Sequence, residues 1–524
     1  MLPTTVPGSM ESTEITDRGE KSDHMSTKEL AVVAPVMEAE EPEIPQHIVS
    51  PDDKPAFQPN KNFPIFYVAA GVIIFVLVVT IGSICGTGHC GTGGGSEAME
   101  SATGREALRQ DFELQITAGL RSVRFGLDDE NSAYEKALDW IINADPQKLE
   151  PDADNLLQRF ILALLYYQTT ARKPWYSCNP PQGAQDDTCQ FSLYVNHDVW
   201  GIRWLSGSPE CQWGGVICES GVVTGIHLTA NEMNSQLPAE LGVLPKLTKL
   251  DFSHNELTGT IPSSLMLAEL DLGANQFVGT IPAEIFNNPG LENLNLGNNT
   301  LTGTLPTEVG LASNLVQLVL GFNRLSGLLP NQLFGLSKME WMFLESNQFT
   351  GTLSEAVGNL VNMQYLMIGH SSLDGPLPSE LGLLKLLREL NIQNSFISGT
   401  IPEELFTGSS YLAGLDFGDC NLSGTISTSV GHLTKLNVLL LANNNFSGTI
   451  PEEVTALTGL YQFSVNGNQL SGSFPSALCS NVLPATGTRL AADCEPERDT
   501  GIAAMPCLCC TECCEASTGI CSKV

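Results

Sequence analysis

Positive charge is scarce in this 524-residue chain, which has 25 Lys and Arg against 58 Asp and Glu and a formal net charge of -33 at pH 7. Proteins that bind DNA or RNA neutralise phosphates with clustered basic residues, and anionic lipid headgroups attract the same residues. The composition therefore excludes nucleic acid as a partner and argues against docking on anionic headgroups. An acidic surface favours solubility and suits cationic partners.

The chain also lacks the motifs of the common enzyme classes. It contains no G-x-S-x-G, no H-E-x-x-H, no phosphate-binding loop and no kinase signature. None of its eight His has a nucleophile at a defined offset. We therefore predict no catalytic residues, no bound metal and no cofactor, and we predict that the protein is not an enzyme.

A long uncharged stretch separates the N-terminus from the rest of the chain. Residues 1–63 have too little apolar surface to fold and are predicted to be a disordered acidic tail. No charged residue occurs between Lys61 and Glu97, and residues 64–85 are apolar over the length that spans a bilayer as a helix. Residues 86–104 contain a Gly-rich linker.

Three features orient this predicted transmembrane helix as a signal-anchor with a cytosolic N-terminus. Lys54 and Lys61 precede it, and the next basic residue, Arg105, lies well beyond it. Paired cysteines occur only on the C-terminal side, as an oxidising compartment allows. The N-glycosylation sequons lie there too, at Asn298, Asn421 and Asn445. We expect a single-pass protein of the plasma membrane or an endomembrane, with the C-terminal part outside or luminal.

Residues 105–220 combine helical patterns with cysteines. Residues 134–142 place apolar residues at helical spacing, and Asp154 is a candidate N-cap for a second helix over residues 155–168. Cys211 and Cys218 are close enough to close a small disulfide loop, whereas a zinc site lacks a matching second pair and nearby His. We expect a cap before the repeats, with these disulfide-forming cysteines: Cys178, Cys189, Cys211 and Cys218.

From residue 221 to 476 the chain repeats a unit of the form L-x-x-L-x-L-x-x-N-x-L-x-G-x-I/L-P, usually every 24 residues. Repeats 1 to 11 are counted here by the Asn position, which falls at residues 231, 255, 275, 299, 323, 347, 371, 395, 420, 444 and 468. L-x-L predicts a short strand with both Leu facing a core, and stacked strands predict one continuous parallel sheet. The Asn side chain can hydrogen-bond backbone groups where the chain turns.

Three repeats depart from this pattern, because Ser371, Ser395 and Cys420 replace the Asn. We expect neighbouring repeats to be held together less tightly at these three positions, and we expect a buried free thiol at Cys420. Two repeats also differ in length: four residues are missing before Asn275, and one is inserted before Cys420.

The G-x-I-P half of each unit and the motif CQWGGVIC at residues 211–218 resemble the plant-type leucine-rich repeats of receptor-like proteins and receptor kinases. The resemblance implies an α/β-type solenoid: a right-handed superhelix with a parallel β-sheet and a helical N-terminal cap. The whole layout is closest to N-terminally anchored leucine-rich-repeat proteins of diatoms. Unlike the receptor kinases, this chain places its predicted anchor at the N-terminal end and has no kinase after the repeats.

Residues 477–524 contain eight cysteines and predict a disulfide-rich C-terminal cap over the last repeat. A thiolate metal site built from CLCCTECC is the alternative, which an oxidising compartment disfavours.

The repeat register also predicts a binding surface. The x residue of each L-x-L lies on the outward side of the sheet, the concave face, and most of this column is polar. Repeats 5 to 7 instead carry apolar and aromatic residues, which suit recognition. The predicted ligand-binding residues, called the concave patch below, are Val319, Phe322, Trp341, Phe343, Glu345, Tyr365, Met367 and His370.

These features predict a membrane-anchored, receptor-like binding protein. Its partner would be an extracellular or luminal protein, peptide or glycan, with signalling through partners such as a co-receptor kinase. A structural adhesion or wall-associated protein and an inhibitor of a secreted hydrolase are the alternatives, and an acidic concave face would suit a basic hydrolase.

Overall fold

The computed structural model describes residues 102–120, 132–182, 187–194, 197–475, 477–478, 489–493, 507, 510–514 and 521–523. The predicted tail, transmembrane segment and most of the Gly-rich linker lie outside these residues. Within the described residues, no helix is both long enough and apolar enough to cross a membrane.

Helices precede the repeats. They span Ala102–Leu120, Ala133–Asp139 and Leu156–Thr169, and the second continues into a π-helical turn over Trp140–Ala144. The prediction of Asp154 as N-cap is wrong: Asn155 occupies that position, and no side chain caps the helix there. The Asn155 amide instead donates to the carboxylate of Glu210, 3.1 Å away.

A buried arginine joins the third helix to the chain before repeat 1. The Arg159 side chain is fully buried and makes two 2.7 Å hydrogen bonds with the carboxylate of Asp145. Its guanidinium also lies 4.8 Å from the ring centroid of Trp213. The charge that interrupts the apolar helix in the sequence is therefore compensated by a buried carboxylate and an aromatic face.

Two disulfides hold the segment between the helices and the repeats, Cys178–Cys189 and Cys211–Cys218. The first contains the start of an antiparallel hairpin formed by Thr188–Tyr194 and His197–Ile202. The second connects a 3-10 turn at Glu210–Gln212 to Val216–Glu219, which is the first strand of the fifteen-stranded sheet described next and called the long sheet below. All four cysteines predicted to form disulfides do so.

The predicted parallel sheet is present, with strands in register from repeat to repeat. Its central Leu positions are buried, whereas the residues on either side are partly exposed, as the L-x-L pattern requires. Among the described strands of this sheet, only the first and last pairs are antiparallel. The fifteen strands are Val216–Glu219, Val222–His227, Lys249–Asp251, Glu269–Asp271, Asn293–Asn295, Gln317–Val319, Trp341–Phe343, Tyr365–Met367, Glu389–Asn391, Gly414–Asp416, Val438–Leu440, Gln462–Ser464, Arg489–Ala492, Glu512–Cys514 and Cys521–Lys523.

A second parallel sheet forms from the x-L-x-G half of each repeat. The sequence pattern did not indicate this sheet. Its glycines adopt positive φ, for example +83° at Gly303, which favours glycine over other residues. The eleven strands are Asn234–Ser235, Glu256–Gly259, Gln276–Gly279, Thr300–Gly303, Arg324–Leu328, Gln348–Thr352, Ser372–Pro376, Phe396–Gly399, Asn421–Gly424, Asn445–Thr449 and Gln469–Ser471.

Most repeats close with a short 3-10 helix that follows the second strand. The repeat that is four residues shorter, ending at Asn275, has none, and the longer repeat before Cys420 has an α-helix, Glu403–Gly408, in this place. The two repeats of unusual length are thus the ones that differ in this element. The 3-10 helices are Ala239–Val243, Ala283–Asn287, Thr307–Leu311, Asn331–Gly335, Glu355–Asn359, Ser379–Leu383, Thr428–His432 and Glu452–Ala456.

The repeated Asn residues form a hydrogen-bond ladder that connects neighbouring repeats. The Asn323 amide donates to the carbonyl of Leu296 in the preceding repeat at 2.9 Å, and its Oδ1 accepts from the Leu301 backbone N–H at 3.0 Å. The Ser371 and Ser395 hydroxyls each bond a carbonyl of their own repeat instead. A cavity of about 350 Å³ lies beside these shorter side chains and Cys420.

The remaining cysteines agree with the predictions where the structure describes them. Cys420 is a buried free thiol, and burial raises its pKa. Cys507 pairs with Cys510, and Cys513 is also disulfide-bonded. Among the described residues, no group of His, Cys, Asp or Glu has the geometry to hold a metal ion.

Candidate ligand-binding surface

The concave patch forms because three successive strands stack in register on the outward side of the long sheet. Trp341 lies beside Tyr365, and Phe343 lies between Val319 and Met367. In a parallel sheet, residues in register on neighbouring strands lie about 4.8 Å apart, so their side chains contact one another. The register places these five residues of the predicted patch together.

Trp341 is central to the aromatic part of the patch. Its ring centroid lies 5.1 Å from that of Tyr365 and 6.2 Å from that of Phe343, with the Phe343 ring at right angles to it. These contacts leave all three rings only partly exposed. Because the rings support one another, the surface presents rigid aromatic area and loses little side-chain entropy when it binds.

Glu345 is the acidic member of the patch, and its carboxylate lies over the backbone of the preceding repeat. A Cβ added at Gly321 would come within 2.8 Å of Glu345 Oε1, so any other residue there would require the carboxylate to move. Oε2 is buried, and among the described residues no group donates a hydrogen bond to it. Burial raises the pKa of Glu345 to about 7.

Phe322 and His370 lie at the edge of the long sheet, where the chain turns out of the strand. Both adopt positive φ, +57° and +48°. The His370 ring is exposed, and its Nδ1 lies 2.9 Å from the Asn394 amide nitrogen. The structure therefore places Phe322 and His370 at the rim of the patch rather than at its centre.

Carboxyl groups lie on the concave face on both sides of the patch. Burial raises the pKa of Glu389, which is in register with Tyr365, to about 6, and nearby Asp416 contributes to this increase. Burial also raises the pKa of Asp416 and of Asp271 to about 6. The concave face therefore changes its negative charge between about pH 5 and pH 7.

Comparison with known proteins identifies the repeated unit. The family model described as Leucine Rich Repeat matches residues 246–267, 290–311 and 435–457. The array consists of leucine-rich repeats. The three matches fall in repeats 2, 4 and 10, whose strands belong to the same two parallel sheets as those of the intervening repeats.

The chain is similar in sequence to plant receptor-like proteins and kinases. It is 32% identical to the Receptor-like kinase TMK4 of Arabidopsis thaliana over 85 residues, which are 16% of this chain and 9% of that protein. It is 31% identical to Receptor-like protein 3 of the same plant over 81 residues, which are 15% of this chain and 11% of that protein. The chain thus matches about a tenth of the length of each of these relatives.

Two solved structures share the fold over about half of the chain. The crystal structure of PEPR1–AtPEP1 has a TM-score of 0.50 and 32% identity, covering 56% of this chain and 42% of that one. The Arabidopsis receptor kinase HAESA, in complex with the peptide hormone IDA and the co-receptor SERK1, has a TM-score of 0.50 and 29% identity, covering 57% of this chain and 51% of that one.

The structure also shows features that the sequence analysis missed. In the part of the chain that the structure describes, the most exposed large apolar residues lie outside the concave patch: Tyr176 is 75% exposed, Trp200 74% and Leu328 68%. A further cavity beside Asn231 was not predicted, because its lining comes from segments far apart in the chain. The side chains of the three sequon asparagines are exposed, and Asn421 and Asn445 lie on the second sheet.

Proposed function

We propose that this protein is a receptor-like binding protein that recognises a peptide through the concave patch. The observation that carries the proposal is the aromatic surface of repeats 5 to 7, centred on Trp341, with a buried carboxylate oxygen of Glu345 in the same repeat as Trp341. Aromatic anchors that are already ordered before binding dominate the energetics of recognition surfaces. Similarity to HAESA, whose structure contains a peptide hormone, supports a peptide over a glycan.

We further propose that the protein is anchored in the membrane through residues 64–85, with residues 1–63 cytosolic and the repeats outside the cell or in a lumen. The uncharged stretch between Lys61 and Glu97 supports this arrangement. The layout then resembles the N-terminally anchored leucine-rich-repeat proteins of diatoms. The helices before the repeats serve as a helical N-terminal cap, and the C-terminal cysteines staple the other end of the array.

A signalling role would use partners, because the sequence contains no kinase signature. We propose a co-receptor kinase as the class of partner, supported by the co-receptor in the HAESA complex. The partner would contact the transmembrane helix or the tail.

Selection from a random peptide library on the purified full-length protein tests the proposed function. Selected peptides should lose binding by about tenfold or more when Trp341 and Phe343 are both replaced by Ser, because each ring supplies anchoring area. Phe396→Ser is the matched control, since Phe396 is 61% exposed on the second sheet. Peptides that bind the double variant and the unmodified protein equally would contradict recognition through the patch.

A further inference from the structure

A cavity of about 460 Å³ lies beside repeat 1, between the Cys178–Cys189 disulfide and the loop that follows the first repeat's strand. Its size falls within the range of small-ligand sites in proteins. The lining includes Ser177, Thr229, Asn231 and, as the one charged side chain among the described lining residues, Arg203.

Asn231 differs from the other asparagines of the ladder. Elsewhere, as at Asn255, the amide nitrogen donates to three backbone carbonyls. The Asn231 side chain is turned so that its Oδ1 accepts from the Ser177 backbone N–H at 2.8 Å and the Ser177 hydroxyl at 2.9 Å. This leaves Nδ2 buried, and no described residue accepts a hydrogen bond from it.

Thr229 supplies a second donor of the same kind. Its side chain is 7% exposed and that of Asn231 is 3% exposed, and the Thr229 hydroxyl has no hydrogen-bond partner among the described residues. A buried donor without an acceptor is destabilising, so two in one cavity require an explanation. A bound group that brings hydrogen-bond acceptors removes this destabilisation.

We propose that this cavity binds a carboxylate, supplied by the C-terminus of a peptide. Two neutral donors beside a guanidinium suit a group with two acceptor oxygens and a negative charge. The location favours a peptide, because Thr229 occupies the same position in repeat 1 as Glu345 in repeat 6, at one edge of the concave face. The site is separate from the concave patch, and its preference for a carboxylate follows from its own donors, whereas the choice of a peptide rests on the function proposed for the concave face.

The test uses tetraglycine with a blocked N-terminus, as the free acid and as the C-terminal amide, titrated by ligand-observed NMR against purified full-length protein. The free acid should bind, and the amide should bind at least about tenfold more weakly, because it loses the charge-assisted hydrogen bonds. Asn231→Asp keeps the oxygen that accepts from Ser177 and replaces the unpartnered Nδ2 donor with an anionic oxygen. It should reduce binding of the acid by a similar factor.

Two controls separate binding from folding. Asn437→Asp makes the same charge change at an exposed position of repeat 10 and should leave binding unchanged. Thr229→Val removes the second donor in an isosteric side chain and should weaken binding without lowering the melting temperature.

Three results would overturn the proposal. Equal binding of acid and amide would show that the cavity accepts any carbonyl, and displacement of the peptide by an equal concentration of acetate would assign the site to small free acids. A cavity that binds neither probe and holds only ordered water in a crystal structure would show that water satisfies the two donors.

Discussion

At Glu345 the concave patch contains a carboxyl group whose ionised form is disfavoured by burial. Its pKa is raised to about 7, whereas an unfolded chain gives glutamate a pKa of about 4.3. Between these values the folded protein binds more protons than the unfolded chain, so this group's contribution to stability falls as the pH rises from about 4.5 to 7.

Glu345→Gln should therefore stabilise the protein at pH 7.5 by about 1–3 kcal/mol and should have little effect near pH 4.5. The amide has a similar shape but cannot ionise. Chemical denaturation of both proteins at the two pH values measures this difference. An equal effect at both pH values would show that the Glu345 carboxyl is not destabilised by burial.

The members of the patch were predictable from the sequence because each repeat places its side chains in known columns. Their exposure was not predictable. Contacts among Trp341, Phe343 and Tyr365 depend on rotamers, and the position of the Glu345 carboxylate depends on the missing Cβ of Gly321 in another repeat. The sequence pattern predicted which residues face outward from the sheet but did not reveal that one carboxylate oxygen of Glu345 is buried.

At the scale of the element, the Asn ladder predicts opposite effects for two substitutions. Asn323→Ala removes one acceptor and three donations, including the bond to Leu296 in the preceding repeat, and should cost about 2–4 kcal/mol. Ser371→Asn should add cross-repeat bonds and stabilise the array by about 1 kcal/mol.

Thermal unfolding of both ladder variants beside the unmodified protein checks this expectation. Thr302→Val is a suitable comparison because the Thr302 hydroxyl makes one weak exposed bond of 3.3 Å on the second sheet. If Ser371→Asn lowers the melting temperature, the cavity beside Ser371 does not accommodate the longer side chain. Other contacts than the Asn ladder then hold the neighbouring repeats together at this position.

The helix that carries Arg159 depends on its buried partner. Arg159→Met leaves the Asp145 carboxylate buried without its counter-charge and should destabilise the protein by about 3–5 kcal/mol. Adding Asp145→Asn should recover part of this loss, because the amide carries no charge. A double-mutant cycle by denaturant titration measures the coupling, and strictly additive losses would mean that the ion pair contributes no coupling.

Sequence patterns predicted the first sheet but not the second sheet or the correct helix N-cap. The first sheet follows directly from L-x-L, but the second was missed because its strands are only two to five residues long and most carry a glycine in one of their last two positions. The N-cap at Asp154 was wrong because the helix begins one residue later and Asn155 bonds Glu210, a residue far along the chain.

At the scale of the whole molecule, the proposed topology predicts which parts of the chain a protease reaches. With tags at both ends and cells left intact, repeats on the cell surface should be digested while residues 1–63 survive, because the membrane shields the cytosolic side. Repeats in a lumen should instead be protected until the cells are permeabilised. The product should also carry N-glycans, on sites among Asn298, Asn421 and Asn445. Protected, unglycosylated repeats with reduced cysteines would contradict the topology and the membrane-receptor proposal.

Photo-cross-linking tests recognition through the concave patch most directly. A photoreactive phenylalanine replaces Phe343 in one full-length variant and Phe396 in another, and both are irradiated in the cells that normally make the protein. Our account predicts a peptide-sized adduct at position 343 and none at position 396. Adducts at position 396 alone would place recognition on the second sheet and contradict the account.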